Sequence, residues 1–351
     1  MLLMAADLRT GVIGYGIAGR VFHAPLISST PGLALTAIVT TDAERRARAA
    51  ADHPDVELLD TADDLFASDV DLVVIGSPNK THVELALAAI AHGKAVVVDK
   101  PFAPSSSDAR RVLAAAREKG VPLTVFQNRR WDSDFQTVRE VVKSGRLGTI
   151  SRFESRYERW VPEIWDNWRE FGAAEEAGGL LYDLGAHLVD QALQLNGPVR
   201  SVYAELDRRR PGALVDDDVF VALTHTSGVR SHLWASASAA NHGPRFRVLG
   251  EQAAFTISGM DGQEDALVAG LRPGRPGWGE EPESAWGEVG LLDDTTPVPS
   301  EKGAYEEFYR LLVTALRDGG PLPVDPESAI AALEIIEDAF ESANTGQVVA
   351  V

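Results

Sequence analysis

The chain has 351 residues, 45% of them hydrophobic and 24% charged, a length that suits two domains of roughly 150 residues and a composition that suits packed cores. Its 33 Lys and Arg against 52 Asp and Glu leave a formal net charge of -19, which repels phosphate backbones and anionic headgroups and argues against nucleic acid or a membrane as partner. With no cysteine, disulfides, thiolate metal sites and thiol nucleophiles are excluded together.

The first nine residues carry an acid at Asp7 and no basic, apolar leader, and no later apolar run approaches the ~20 residues that span a bilayer, so a cytoplasmic protein is expected. Short, nearly continuous apolar runs then recur at residues 10–13, 35–39, 56–59, 70–75, 95–98 and 123–126, the pattern of strands buried on both faces of a parallel sheet. Helical stretches at 42–51, 81–92 and 105–119 separate them. The last has Ser105 and Asp108 at capping-box spacing and Gly120 at its C-cap position. This alternation predicts right-handed crossovers and a doubly wound α/β Rossmann domain over residues 1–126.

The first strand runs directly into Gly14-Tyr15-Gly16-Ile17-Ala18-Gly19 and a helix beginning near Ile17. In that context the glycine pattern is a dinucleotide loop. Gly14 permits the tight turn, Gly16 lets the backbone of Ile17 and Ala18 approach a pyrophosphate, and Gly19 allows close helix packing at the positive end of the helix dipole. The second strand ends Thr40-Thr41 and is followed by Arg45 and Arg46, where an NAD-specific site usually carries a carboxylate. Hydroxyls and a guanidinium suit the 2′-phosphate of NADP. Asp42 keeps NAD open and the arginines can also be read as a solvated helix face, but the pattern favours NADP. Two further crossovers, Ser77-Pro78-Asn79-Lys80-Thr81-His82 and Asp99-Lys100-Pro101, leave the carboxyl ends of parallel strands, where ligands of open sheets bind.

From residue 127 to 351 the pattern changes to that of an α+β domain with a large, open, mainly antiparallel sheet. A helix at 133–143 precedes strands in which Phe153, Ser155, Tyr157, Val202, Ala204, Leu206, Val219, Val221 and Leu223 recur at period two. If residue 180 onward is helical, Asp183 and His187 share a face, a carboxylate and an imidazole suited to fixing a polyol and taking its hydroxyl proton; a buried histidine satisfied by a local carboxylate is the other reading. No third ligand accompanies them, so no metal site is expected. Thr226-Ser227-Gly228 reads as the turn of a hairpin. Residues 258–300, rich in Gly, Pro, Glu and Trp and without a period, read as a long loop, and helices at 304–317 and 326–342 close the chain.

Four stretches in order, GYGIAG, SPNKTH, DKP and GGLLYDLGAHLVDQAL, resemble the Gfo/Idh/MocA oxidoreductase family over essentially the whole chain. GRVFHAP (19–25), FQNRRWDSDF (126–135) and Gln263-Glu264-Asp265 are similar to its branch of NADP-dependent scyllo-inositol 2-dehydrogenases. The resemblance implies a catalytic Lys100 on the reacting hydroxyl, His187 as acid/base and Asp183 orienting the substrate. It also implies that Asp99, standing where the family usually has Glu, lies with Asn128, Trp168 and Arg169 in the nicotinamide pocket. The implied substrate is a small polyol or sugar, and the second sheet, with no evident covering helices, is implied to pack on another subunit in a homodimer or homotetramer. Two other functions stay open at this stage: a sensor of dinucleotide or sugar that has lost catalysis, and a glycosidase that uses NAD transiently.

Overall fold

The computed structural model describes residues 6–164, 168–171 and 176–351. Its first layer is a parallel sheet of β1 (Leu8–Ile13), β2 (Leu33–Val39), β3 (Glu57–Leu59), β4 (Leu72–Ile75), β5 (Ala95–Asp99) and β6 (Leu123–Phe126), in the order β3-β2-β1-β4-β5-β6. The strand order reverses between β1 and β4, and such a switch point leaves a crevice at the carboxyl ends of the strands. The four residues of β4 and of β6 are all buried, as their unbroken apolar runs require.

The crossover helices start and stop on local chemistry. Asp42 caps α2 (Ala43–Asp52) by accepting from the Arg45 N–H, Thr61 caps α3 (Ala62–Ala67) and Ser105 caps α5 (Ser106–Lys119). Gly120 ends α5 in the left-handed conformation at φ 67°. After the glycine loop the chain enters a π-helical turn, Ala18–His23, that continues as α1 (Ala24–Ser29). The fourth crossover helix is α4 (His82–Ala91).

Beyond α6 (Ser133–Lys143) the second sheet contains β7 (Ile150–Glu158), β8 (Val199–Asp207), β9 (Asp218–His225), β10 (Arg230–Ser236), β11 (Phe246–Gly250), β12 (Ala254–Ile257), β13 (Gly287–Leu291), β14 (Asp294–Val298) and β15 (Val349–Ala350). Their order is β14-β13-β12-β11-β7-β10-β9-β8-β15. Pairing is antiparallel except between β7 and β10, which run parallel. The residues at period two point to the covered face: Phe153, Ser155, Tyr157, Val202, Ala204, Val219, Val221 and Leu223 are all buried.

Two expectations change here. Residues 258–300 are not one loop: they hold α9 (Gln263–Val268), β13 and β14. These strands escape notice because β14 is an exposed edge of polar residues interrupted by Pro297, which only an edge strand tolerates. The sheet is also covered on one face, by α6, by α8 (Ala186–Asn196) and by α11 (Pro326–Thr345), which come from distant parts of the chain. The other face carries half-buried Tyr203, Phe220, His232 and Trp234. The penultimate helix, α10 (Glu306–Asp318), packs back on α1. No helix among the described residues is long and apolar enough to cross a membrane.

Candidate active site

The carboxyl ends of the first sheet open on a cavity of about 490 Å³ whose walls come from both sheets. From the first layer come Ile17, Ala18, Asp99, Lys100 and Asn128; from the second come Asp183, His187, Asp216 and Glu264, among others.

The glycine loop is shaped as a cradle that side chains would fill. Gly14 has φ +96°, and a Cβ there would sit 2.8 Å from the Gly76 carbonyl oxygen; one on Gly19 would lie 1.9 Å from that of Gly14. At Gly16 the nearest atom to such a Cβ is Arg45 Nη1, at 3.8 Å. A loop stripped of side chains and leading into a helix N-terminus fits a dinucleotide pyrophosphate. Thr40 is buried at the end of β2, and Thr41 and Arg45 are exposed beyond it. The two neighbouring arginines differ: Arg46 donates to Asp60 Oδ1 at 2.8 Å and to the Leu58 carbonyl at 2.9 Å, whereas the Arg45 guanidinium lies over the glycine loop. Asp42 is spent on its cap, Oδ1 accepting from the Arg45 N–H at 2.8 Å.

The loop after β4 is held by hydrogen bonds within itself and to the second domain. Ser77 Oγ lies 2.6 Å from Thr81 Oγ1, and Asn79, following Pro78, donates to the Ala177 carbonyl at 3.2 Å. His82 turns inward, its ring nitrogens 2.9 Å from the Pro101 carbonyl and 3.0 Å from that of Ser77. It thereby ties the loop after β4 to the loop after β5. Trp168 and Arg169 belong to the short α7 (Trp168–Phe171), and their side chains lie outside the described residues.

Lys100, Asp183 and His187 converge. Lys100 Nζ donates to the Asp183 carbonyl at 2.5 Å and to its Oδ1 at 2.9 Å. A π-helical turn, Leu181–Gly185, leads into α8 and puts Asp183 and His187 on the same cavity wall. Asp216 begins that helix: its carbonyl accepts from the Leu180 N–H at 3.0 Å and its Oδ2 from the Leu181 N–H at 2.7 Å. Burial pushes the Asp216 carboxyl up to about 6. His187 is 4% exposed and its Nδ1 is buried without a hydrogen-bond partner among the described residues. Burial, reinforced by the Lys100, Arg129 and Arg245 charges, holds its pKa well below the ordinary value, so the ring is neutral.

Behind Lys100, Asp99 Oδ1 accepts from the Lys100 N–H at 2.8 Å, and Oδ2 lies 3.8 Å from Nε2 of fully buried His23. Burial alone would raise the Asp99 pKa, but His23, Lys100 and His82 outweigh it and pull the value down. His23 Nδ1 in turn meets the Tyr309 hydroxyl at 2.7 Å. Arg129, Asp216, Glu264 and His23 had no assigned role in the sequence reading. For three of them a signal existed, since Arg129, Glu264 and His23 sit inside motifs that carried the family resemblance. Among the described residues no group of His, Asp and Glu side chains is suited to hold a metal.

The comparisons with known proteins agree with this fold. A family model described as an oxidoreductase family with an NAD-binding Rossmann fold matches residues 8–127, and one described as the GFO/IDH/MocA C-terminal domain matches residues 135–256. The chain is 34% identical, over 95% of its length and 93% of the relative's, to a scyllo-inositol 2-dehydrogenase (NADP(+)) of Bacillus subtilis (strain 168). It is 39% identical to an uncharacterized oxidoreductase of Escherichia coli (strain K12), over 97% of each chain. The solved structure of a Bacillus subtilis protein superposes with a TM-score of 0.93 at 32% identity, covering 99% of both chains.

Proposed function

The chain belongs to the Gfo/Idh/MocA family and is an NAD(P)-dependent dehydrogenase, and we propose that it interconverts a secondary hydroxyl and a ketone on a cyclitol or sugar, with NADP(H) as its cofactor. The observation that carries this reading is the meeting of Lys100, Asp183 and a neutral His187 on one cavity with the glycine loop. The activity named for the Bacillus relative supports a polyol as the substrate class.

Bound NADP supplies the hydride acceptor at the cavity. The protein manages the oxygen. Lys100 spends N–H groups on the two Asp183 oxygens, and an ammonium has three, so a donor remains for the substrate oxygen. His187 takes the hydroxyl proton as the C–H bond yields its hydride, and Lys100 stabilises the negative charge building on that oxygen. In the reverse direction the depressed pKa makes the imidazolium a stronger acid toward the ketone oxygen. Asp183 keeps Lys100 in place, and Asp216 keeps the Asp183 helix in place.

NADP is favoured over NAD by the β2 terminus. Thr40 and Thr41 stand where a carboxylate would grip a free 2′-hydroxyl, Asp42 is committed to its cap, and Arg45 is the guanidinium left to meet a 2′-phosphate. The half-buried aromatic face of the second sheet, with Phe220 and Trp234 ring centroids 5.2 Å apart and Arg156 stacked 3.9 Å over Trp234, supports pairing with a second copy in a homodimer or homotetramer. The test is absorbance at the reduced-nicotinamide band with inositol isomers and common aldoses, NADP and NAD side by side. Turnover with a polyol and a preference for NADP is expected; silence with every polyol despite tight cofactor binding sinks the proposal.

A further inference from the structure

The cavity holds a second hydrogen-bonding pair that proton transfer does not use. Arg129, one residue past Asn128, is 9% exposed, and its Nη2 donates to Glu264 Oε2 at 2.8 Å. Its Nη1 lies 3.4 Å from the Tyr305 hydroxyl and 3.5 Å from Asp132 Oδ2. The guanidinium carbon sits 5.2 Å from the centroid of the Tyr157 ring, and that ring also meets His187 edge-on at 6.5 Å. One aromatic ring thus separates the pair from the base.

Glu264 comes from α9, inside the segment read from sequence as a loop. Its neighbour Gln263 fixes it: the buried amide donates to the Trp131 carbonyl at 3.1 Å and accepts from the Tyr305 N–H at 2.8 Å. Glu264 itself is 36% exposed, and its Oε1 has no partner among the described residues. The pair therefore offers an acceptor on Glu264 and, since a guanidinium carries five N–H groups, a donor on Arg129. Fixed, adjacent and opposite in sense, these match two neighbouring hydroxyls. The Glu264 carboxylate repels an anionic ligand, and a lone alcohol would use half of the pair.

Resting on the dehydrogenase reading above, we propose that Arg129 and Glu264 bind a vicinal diol of the substrate away from the reacting carbon, and so set which polyols the enzyme accepts. α9 is then the specificity wall of the cavity.

The test compares the wild-type holoenzyme with Glu264→Ala and Glu264→Gln, using the best polyol of the panel and its monodeoxy analogues. Glu264 is exposed enough for its variants to fold, which thermal melting checks, whereas Arg129 is too deeply braced to be the first target. Glu264→Ala should raise KM for the parent polyol about 10- to 100-fold, the scale of losing a hydrogen bond to a charged group. Glu264→Gln, which keeps an acceptor oxygen, should raise it less. In both, kcat should stay near wild type and the NADPH Kd should not move, and an analogue lacking one diol hydroxyl should lose the sensitivity. An unchanged KM overturns the inference. So does an equal loss for every substrate, which marks a structural role, or a shift in NADPH Kd with KM constant, which places the pair on the nicotinamide. A wild type inert to all polyols brings down the dehydrogenase reading and this inference with it; an active wild type with an indifferent Glu264→Ala brings down this inference alone.

Discussion

Arg130 and Asp190 offer the sharpest stability test, because their pair braces the helix that carries His187. Arg130 donates to both Asp190 oxygens, at 2.8 and 2.6 Å, with side chains 10% and 3% exposed. Its Nη2 also donates to Ser328 Oγ in α11, at 2.9 Å. Asp190 lies one helical turn beyond His187 in α8, so the pair ties the end of β6 to two helices. Arg130→Met leaves a carboxylate buried without its counterion, which costs about 3–5 kcal/mol. Removing both charges, as Arg130→Met with Asp190→Leu, leaves no stranded ion and should recover most of that loss, since apolar replacements of buried pairs are often neutral. Urea unfolding at pH 7 measures each variant, with the slope m checked for constancy so that a midpoint shift reports stability. The single variants should also lose kcat, because displacing the imidazole by about 1 Å costs on the order of 10²-fold. A single variant less than about 1 kcal/mol below wild type, or a double variant no better than the singles, would refute the bracing role.

Lys100→Met and His187→Asn should each lower kcat/KM by about 10²- to 10⁴-fold while NADPH still binds by fluorescence titration, and normal turnover in either would break the proposed mechanism. Arg45→Ala should weaken NADPH by about 10- to 100-fold and spare NADH; an equal loss for both would return Arg45 to the solvated helix face. Because His187 stays neutral below its ordinary pKa of 6.5, the acid limb of kcat/KM for polyol oxidation should fall below pH 6.5, and a limb at or above that pH contradicts the buried, cation-flanked ring. Stability is the poorer readout of that group. Its depressed pKa makes stability fall as pH drops through 6.5, while Asp216, raised from 3.8 to about 6, contributes stability at low pH that is lost as pH rises through about 6. Trp234→Asp should convert the proposed oligomer to monomer in light scattering, and an unchanged mass would remove the open sheet face from the proposed interface.

What was legible in the sequence follows from how local each signal is. The parallel strands are unbroken apolar runs, and the glycine loop is contiguous, so both are written in neighbouring residues. The Asp183 and His187 pair was visible because one helical turn joins them. Residues 258–300 were not legible as structure: β13 and β14 pair with each other at an exposed edge, and their polar, Gly- and Pro-containing segments carry no period. Nor was the covered face of the second sheet, because α8 and α11 reach it from either side of seven intervening strands. Glu264 was quoted only as part of a motif, since its meaning depends on Arg129, 135 residues away. His82 is a different case: its motif marks the loop, and only the fold shows its ring meeting two backbone carbonyls.

The electrostatics of the cavity bear on the substrate class. The chain carries a net charge of -19, yet Lys100, Arg129 and Arg245 all act on His187. Each of these cations already has an acid: Lys100 has Asp183 at 2.9 Å, Arg129 has Glu264 at 2.8 Å and Arg245 has Asp134 at 3.2 Å. Paired in this way they give little net attraction for an anionic substrate, and the net negative charge of the chain repels one at long range. At short range the arrangement differs, because burial first, and then these cations, suppress protonation of His187. A potential that disfavours a proton on the ring favours negative charge beside it, where the substrate oxygen becomes anionic as the hydride leaves. A site close to neutral as a whole but positive at that point suits a neutral polyol whose only charge is the one the reaction creates.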